Sequence, residues 1–234
     1  MTGKNVTTVD EIQEILHGSG FPAPVEAVTP SGAPALIWDP ELDGEALWQV
    51  QRKLTGKLPG WHVFSYGVEP SDPEELAEAW EEQGPESDDL HPLLDPETEQ
   101  QALHEFTVKN TTGEEPADGV RSSVVLPEDA PAYSTGVGNL IAVQVENPGD
   151  VVHAVEWEGA DNLGSRTELA VLLRRWNRLA GAVPVHLSDT DNANLILAVP
   201  DLLTIQEELK QACDETTIIA TNPSRTTLVE LWWD

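Results

Sequence analysis

The chain has 234 residues, of which 42 are acidic and 12 basic, so its formal net charge at pH 7 is −30. Such a charge works against nonspecific binding to nucleic acid and to anionic lipid. The sequence also lacks an apolar run long enough to span a bilayer, so we expect neither direct nucleic-acid binding nor a membrane location. The acidity itself has two interpretations: a solubilising surface, or a carboxylate-studded surface that mimics nucleic acid.

Cysteine usage is typical of a reducing compartment. Cys213 is the one cysteine of the sequence, so no intrachain disulfide can form. The first residues carry no apolar stretch of the kind found in a secretory signal. We therefore expect a cytoplasmic protein whose lone thiol is buried and unreactive.

The first part of the chain alternates helix and strand signals. Helices are predicted where a capping residue precedes apolar residues at spacings of three and four, and strands where apolar and aromatic residues run together. The helices are expected at 8–18, at 44–56 and from Asp72 and Pro73 onward, and the strands at 35–39 and 61–66. Four prolines between residues 22 and 34 break the chain there.

The stretch from residue 69 to residue 118 is acidic almost throughout. It holds seventeen acidic residues and a single basic one, Lys109. Such runs are usually solvated faces or mobile loops. We expect loops at 85–96 and 111–119, with a helix at 97–106 between them.

The second part of the chain gives clearer strand and helix signals. Strands are predicted at 120–126, 140–146, 151–157, 183–187, 194–199, 218–219 and 226–233, and helices at 165–181 and from residue 204 to about 214. Mixed strands and helices indicate an α/β or α+β fold, a mixed sheet flanked by helices. We expect an acidic N-terminal α/β part at 1–119 with mobile loops, and a C-terminal α/β domain at 120–234.

The helix at 165–181 has the strongest local pattern. Ser165 and Glu168 fit a capping box, and Gly181 follows the last apolar position. Its polar face carries Arg174, Arg175 and Arg178, with no acidic residue four positions before any of them. These arginines are expected either to pair with acids elsewhere in the chain or to bind a ligand. One specific pairing, with the carboxylates of Asp234, would fix the chain end to the sheet.

Short motifs in the second part follow the order found in a known family. They are a turn at 157–162 that reads Trp-Glu-Gly-Ala-Asp-Asn, the segment Leu-Arg-Arg-Trp at 173–176, a strand entry at 181–185, an aspartate at 189, a strand that ends at Pro200, and Trp-Trp-Asp at 232–234. In these features the chain resembles the bacterial family called domain of unknown function 4253, common in actinobacteria. The resemblance is clearest from residue 151 onward and looser before it.

The resemblance implies a fold and a set of motif residues rather than an activity, because the family has no settled one. The chain departs from the family where members carry Cys-Pro-Asp and a Gln-Gly turn, since Asp214 directly follows Cys213. The candidate binding or family-motif residues are Trp157, Asn162, Arg174, Arg175, Trp176, Asp189, Trp233 and Asp234.

No residue pattern predicts catalysis, a metal or a cofactor. Asp189 and Asp191 could offer carboxylates to a divalent cation, or simply make a turn between two strands. The six histidines show no paired ligand spacing. Gly136 and Gly138 lack the third glycine and the following helix of a dinucleotide loop. We assign no catalytic residue, no metal ligand and no cofactor.

Three functions from different classes fit the sequence. The first is a non-catalytic protein that binds or inhibits a basic protein partner, in an immunity, defence or phage accessory role, with its charge steering the association. The second is an enzyme that holds a small anionic substrate through Arg174, Arg175 and Asn162, with Asp189 or Asp191 as base. The third is a structural phage component. The first is the function that we expect.

Overall fold

The computed structural model describes residues 11–12, 22–39, 44–55, 57–68, 72–83, 130–131, 138–159, 166–188, 194–213, 215–221 and 226–232. The strands are β1 (Val25–Val28), β2 (Pro34–Trp38), β3 (Trp61–Gly67), β4 (Asn139–Gln144), β5 (Val183–Ser188), β6 (Asn194–Val199), β7 (Glu215–Thr221) and β8 (Thr227–Trp232). The helices are α1 (Gly44–Thr55), α2 (Pro73–Gln83), α3 (Val151–Ala154), α4 (Arg166–Ala180) and α5 (Leu202–Ala212), with a 3-10 turn (Pro148–Asp150) before α3.

The eight strands form one mixed sheet in the order β1-β2-β4-β3-β5-β6-β8-β7. The central neighbours β3 and β5 are parallel, with Ser65 opposite His186, and the other pairs are antiparallel. This architecture confirms the predicted mixed sheet flanked by helices. The predicted domain boundary at 119 and 120 lies outside the described residues; among those described, strands from both sides of it share the one sheet.

Both faces of the sheet are covered. On one face, the helices α2, α3, α4 and α5 bury a large cluster that includes Trp80, Leu172 and Trp176. On the other face, Leu47 and Trp48 of α1 pack into two smaller clusters. This two-sided burial explains why all seven residues of β3 are buried. Strands covered on both faces lose the alternation of polar and apolar residues.

Several local predictions are confirmed. The predicted strands at 35–39, 61–66, 140–146, 183–187, 194–199 and 226–233 and the helix at 44–56 correspond closely to β2, β3, β4, β5, β6, β8 and α1. The strong helix signal corresponds to α4, which ends at Gly181 with a positive φ of 71°. There the N–H of Gly181 donates to the carbonyl of Asn177, and the N–H of Ala182 donates to the carbonyl of Trp176 at 3.3 Å.

One predicted strand is wrong. Residues 151–157 form α3 and a following turn rather than a strand. Asn147 and Asp150 close a capping box around the 3-10 turn, and Pro148 stands at its first position. This start signal outweighs the β-branched residues Val151 and Val152, which are buried against α4 instead of pairing in the sheet.

Two further differences concern element bounds. The strand β1 was not predicted, because prolines surround it and only four residues pair with β2. Helix α5 begins at Leu202, two residues before the predicted capping position, and the Thr204 hydroxyl donates to Asp201 at 2.9 Å instead of capping the helix. The predicted loops at 85–96 and 111–119, the helix at 97–106 and the strand at 120–126 lie outside the described residues. Of the predicted helix at 8–18, only residues 11–12 are described, and they are helical.

Candidate functional site

A groove of about 760 Å³ lies between the terminal strand β1 and helix α2. All four residues of β1 line it, together with the following turn, the start of β2 and one side of α2. Ala27, Ala35, Ala77 and Trp80 contribute apolar surface to the lining. A groove of this volume lies within the range of known ligand sites.

Local sequence signals fix α2 beside the groove. The Asp72 carboxylate accepts from the N–H groups of Glu74 at 2.9 Å and of Glu75 at 3.1 Å, which confirms the predicted cap. Leu76 and Trp80 are buried in the core beneath the helix. Because these two residues are four apart, they orient the helix and leave a polar side toward the groove.

That polar side carries a stripe of carboxylates. Glu74, Glu78 and Glu81 are four and three residues apart, and all three line the groove. None of the described residues that line the groove is basic. The last turn of α2 likewise has no basic side chain, so Glu81 and Glu82 stand where the helix dipole disfavours negative charge. The helix therefore keeps these acids at some cost to its own stability.

The candidate site residues Arg174 and Arg175 of α4 have carboxylate partners within the fold. Arg174 forms an ion pair with Asp150 of the 3-10 turn. Arg175 donates to both oxygens of Glu208 on α5, from Nε at 3.2 Å and from Nη2 at 3.0 Å. The indole nitrogen of Trp176 donates to the same carboxylate at 3.1 Å. The structure thus joins Arg175 and Trp176 at Glu208 and pairs Arg174 with a different element.

The remaining motif residues are only partly described. Trp157 is fully buried, and its indole nitrogen donates to the carbonyl of Ser188 at 3.2 Å, which ties the turn after α3 to the end of β5. Its motif position is therefore structural. Asn162, Asp189, Asp191, Trp233 and Asp234 lie outside the described residues, and so does the hypothesised arginine pairing with Asp234.

A second cluster of polar residues is buried where β3 and β5 diverge. Val185 is bulged in the pairing of β5 with β6, and it lies just before the first pair of the β3–β5 ladder, Ser65 with His186. The Gln51 amide donates to this carbonyl at 2.9 Å and to that of Val63 at 3.1 Å, and the Ser65 hydroxyl also reaches Val185 at 3.3 Å. The imidazole Nδ1 of His186 lies 2.7 Å from the Ser65 hydroxyl. These side chains connect β3 and β5 next to the end of their parallel ladder.

Both histidines of this region are held neutral. Burial lowers the pKa of His62 to about 4, although its hydrogen bond to the Pro184 carbonyl at 2.6 Å acts in the opposite direction. Burial likewise lowers the pKa of His186 to about 4. Neutral, enclosed imidazoles with backbone and hydroxyl partners stabilise the split between the strands, so we interpret the cluster as structural.

The structure also bears on three other features: a metal site, the lone cysteine and membrane-spanning helices. In the described ranges, no three His, Cys, Asp or Glu side chains come together as a metal site requires. Cys213 is buried at the end of α5, as expected. None of the helices in the described part is long and apolar enough to cross a membrane.

Sequence reasoning missed the groove, although one signal for it was present. The spacing of Glu74, Glu78 and Glu81 places them on one side of a helix, but β1 had to be found before a groove could be inferred. The pairing role of Glu208 had no local signal, since its partners lie 33 and 32 residues away.

Comparison with protein-family models, with curated proteins and with solved structures returned no match for this chain. The resemblance to domain of unknown function 4253 therefore stays a prediction from the motif residues.

Proposed function

We propose that this chain is a non-catalytic binding protein that takes up a basic protein partner in the groove between β1 and α2. The observation that supports it is the stripe of Glu74, Glu78 and Glu81 over an apolar floor, with no basic residue among the described residues of the lining. Carboxylates opposite lysine or arginine give charge complementarity, which speeds association and selects the partner. The net charge of −30 adds long-range attraction for the same partner.

The arginine pairs favour this proposal over an enzyme with an anionic substrate. Arg175 is 6% exposed and shares the Glu208 carboxylate with Trp176. Arg174 is engaged by Asp150. A substrate anion would have to displace a carboxylate from each guanidinium, and removing one partner of a buried pair is costly.

The proposal includes an immunity, defence or phage accessory role, because an acidic surface of this kind would neutralise a basic protein. A cytoplasmic location belongs to it as well, since the lone Cys213 suits a reducing compartment.

The proposal is tested by binding of a blocked decalysine peptide to the full chain, followed by fluorescence anisotropy at low and moderate salt. The variant E78Q/E81Q removes two charges from the groove, and its matched control E75Q/E82Q removes two from the same helix outside the lining. We expect the groove variant to bind about five- to tenfold more weakly and the control to change about twofold or less. Equal losses in both variants would mean that general acidity, not the groove, attracts the peptide.

A further inference from the structure

Among the described strands, β1 is the terminal one of the sheet, and the groove lies between it and α2. All four residues from Val25 to Val28 line the groove, together with Pro34 and Ala35 of the neighbouring strand β2. Within the described part of the sheet, β1 pairs with β2 on one side. In the described part of the chain, no backbone bond beyond that ladder involves Val25, Ala27 or Val28.

We propose that the partner segment binds as an extended strand that adds to β1 and lies beside α2, with lysine or arginine at alternate positions. This inference rests on the proposed function and specifies its ligand. Strand addition to a free sheet edge gives affinity through main-chain hydrogen bonds, while pockets for alternate side chains give specificity.

The dimensions of strand and helix agree with this arrangement. Alternate residues of an extended segment are about 7 Å apart. Along α2, Glu78 lies about 6 Å from Glu74 and Glu81 about 4.5 Å further on, at the helical rise of 1.5 Å per residue. Basic side chains on the α2 side can therefore each meet a carboxylate, with their aliphatic stems over Ala77.

The face of β1 that points away from α2 determines which residues the partner segment needs between its lysines or arginines. Glu26 and Val28 point to this face, and Val28 is 58% exposed. A β-branched or other apolar residue of the added strand would pack beside Val28 and cover it. The ligand is therefore a segment of the pattern basic–apolar–basic–apolar, rather than a basic run of any order.

The test uses an acetylated and amidated peptide, Lys-Val-Lys-Val-Lys-Val, and a permuted peptide of the same composition, Lys-Lys-Lys-Val-Val-Val. We expect the alternating peptide to bind the full chain about tenfold more tightly, since only it can satisfy both faces and the ladder together. Bound peptide should slow amide hydrogen exchange in residues 25–28.

Backbone methylation supplies the sharper control. Two methylated forms of the alternating peptide block either the odd or the even N–H groups, with no change in charge. Only one set can face β1 in a strand, so one form should lose about tenfold or more in affinity and the other should keep it.

The outcomes separate this inference from the proposed function. If both methylated forms and both sequences bind alike, while E78Q/E81Q still weakens them, the groove binds basic segments but not as an added strand. If no peptide binds in a salt-sensitive way, or if E78Q/E81Q binds the peptides as tightly as E75Q/E82Q does, both the proposed function and this inference are wrong. Loss in one methylated form together with slowed exchange in β1 supports both.

Discussion

The side-chain amide of Gln51 lies 2.9 Å from the carbonyl oxygen of Val185, the bulged residue of β5. Gln51 is 1% exposed, and its amide also binds Val63 on β3. A single side chain of α1 thereby connects the two central strands where they no longer pair with each other. The buried glutamine gives both carbonyls a donor there, because a buried carbonyl without a partner is costly.

We predict that Gln51→Leu lowers the free energy of unfolding by about 1–3 kcal/mol, since the carbonyls of Val63 and Val185 both lose the amide donor of Gln51, although Val185 keeps the Ser65 hydroxyl. Leucine has nearly the same size and removes the unpartnered Oε1 of Gln51, so the loss stays within this range. Urea unfolding measures it. Gln49→Leu is the matched control on the exposed side of α1 and should change stability by about 0.5 kcal/mol or less. Equal effects at both positions would contradict the bridging role.

The buried histidines predict a loss of stability in mild acid. The pKa values of His62 and His186 are about 4 in the folded chain against 6.5 for the unfolded one. The unfolded chain therefore binds more protons between pH 6.5 and pH 4, and stability falls as the pH drops through this window. Each histidine contributes up to about 3 kcal/mol of this loss. Unfolding free energies measured at pH 7, 6 and 5 give the slope.

The imidazole signals in an NMR titration provide the direct check. Both should stay at their neutral positions between pH 8 and pH 5. A midpoint near 6.5 for either ring, in the folded chain, would contradict the burial argument.

The buried pair at Glu208 gives a third prediction. Glu208→Ala leaves the Arg175 guanidinium and the Trp176 indole without their acceptor, and the side chains of Arg175 and Glu208 are only 7% and 12% exposed. We expect a loss of about 3–5 kcal/mol, because a buried charge is left uncompensated. The adjacent Glu207 makes an ion pair with Lys210 at the surface, where the side chains are 76% and 52% exposed. Glu207→Ala is the control and should cost about 0.5 kcal/mol or less in the same unfolding assay.

A double variant separates charge pairing from packing. Arg175→Met combined with Glu208→Leu should recover part of the loss, since apolar residues of similar volume often replace a buried pair without penalty, while the Trp176 indole still lacks its acceptor. If the double variant is as unstable as the sum of the two single changes, the pair is not coupled.

The sequence predicted those elements whose signals are local. Helix α4 was readable because its apolar spacing and terminal Gly181 belong to one continuous segment, and β6 because Pro200 ends it. The groove was not readable, because β1 is held by pairing with β2 rather than by its own four residues. The Arg175 and Glu208 pair was likewise beyond local pattern, as it depends on the packing of α4 against α5. The strand predicted at 151–157 is wrong because the β-branched residues follow a capping box at Asn147, which the sequence analysis did not include.

That misread region gives the last prediction. Gly149 lies in the 3-10 turn against the middle of α4, and a Cβ atom there would come within 2.8 Å of the Arg174 nitrogen and of the Leu173 Cβ. Alanine favours helical turns by roughly 0.5–1 kcal/mol over glycine. The overlap outweighs this gain, because neither the α4 backbone nor buried Leu173 can move away at small cost. We expect Gly149→Ala to lower stability by about 1–3 kcal/mol.

Gly67→Ala is the control for the same substitution at another buried glycine. Its Cβ would meet the Ser188 hydroxyl at 3.3 Å, the end of a side chain that can rotate. We expect a loss of about 1 kcal/mol or less there. Thermal or urea unfolding of both variants ranks them. If Gly149→Ala is the more stable of the two, the turn can move away from α4 without a loss of stability. The capping box would then hold residues 147–154 in place without the close contact between Gly149 and α4.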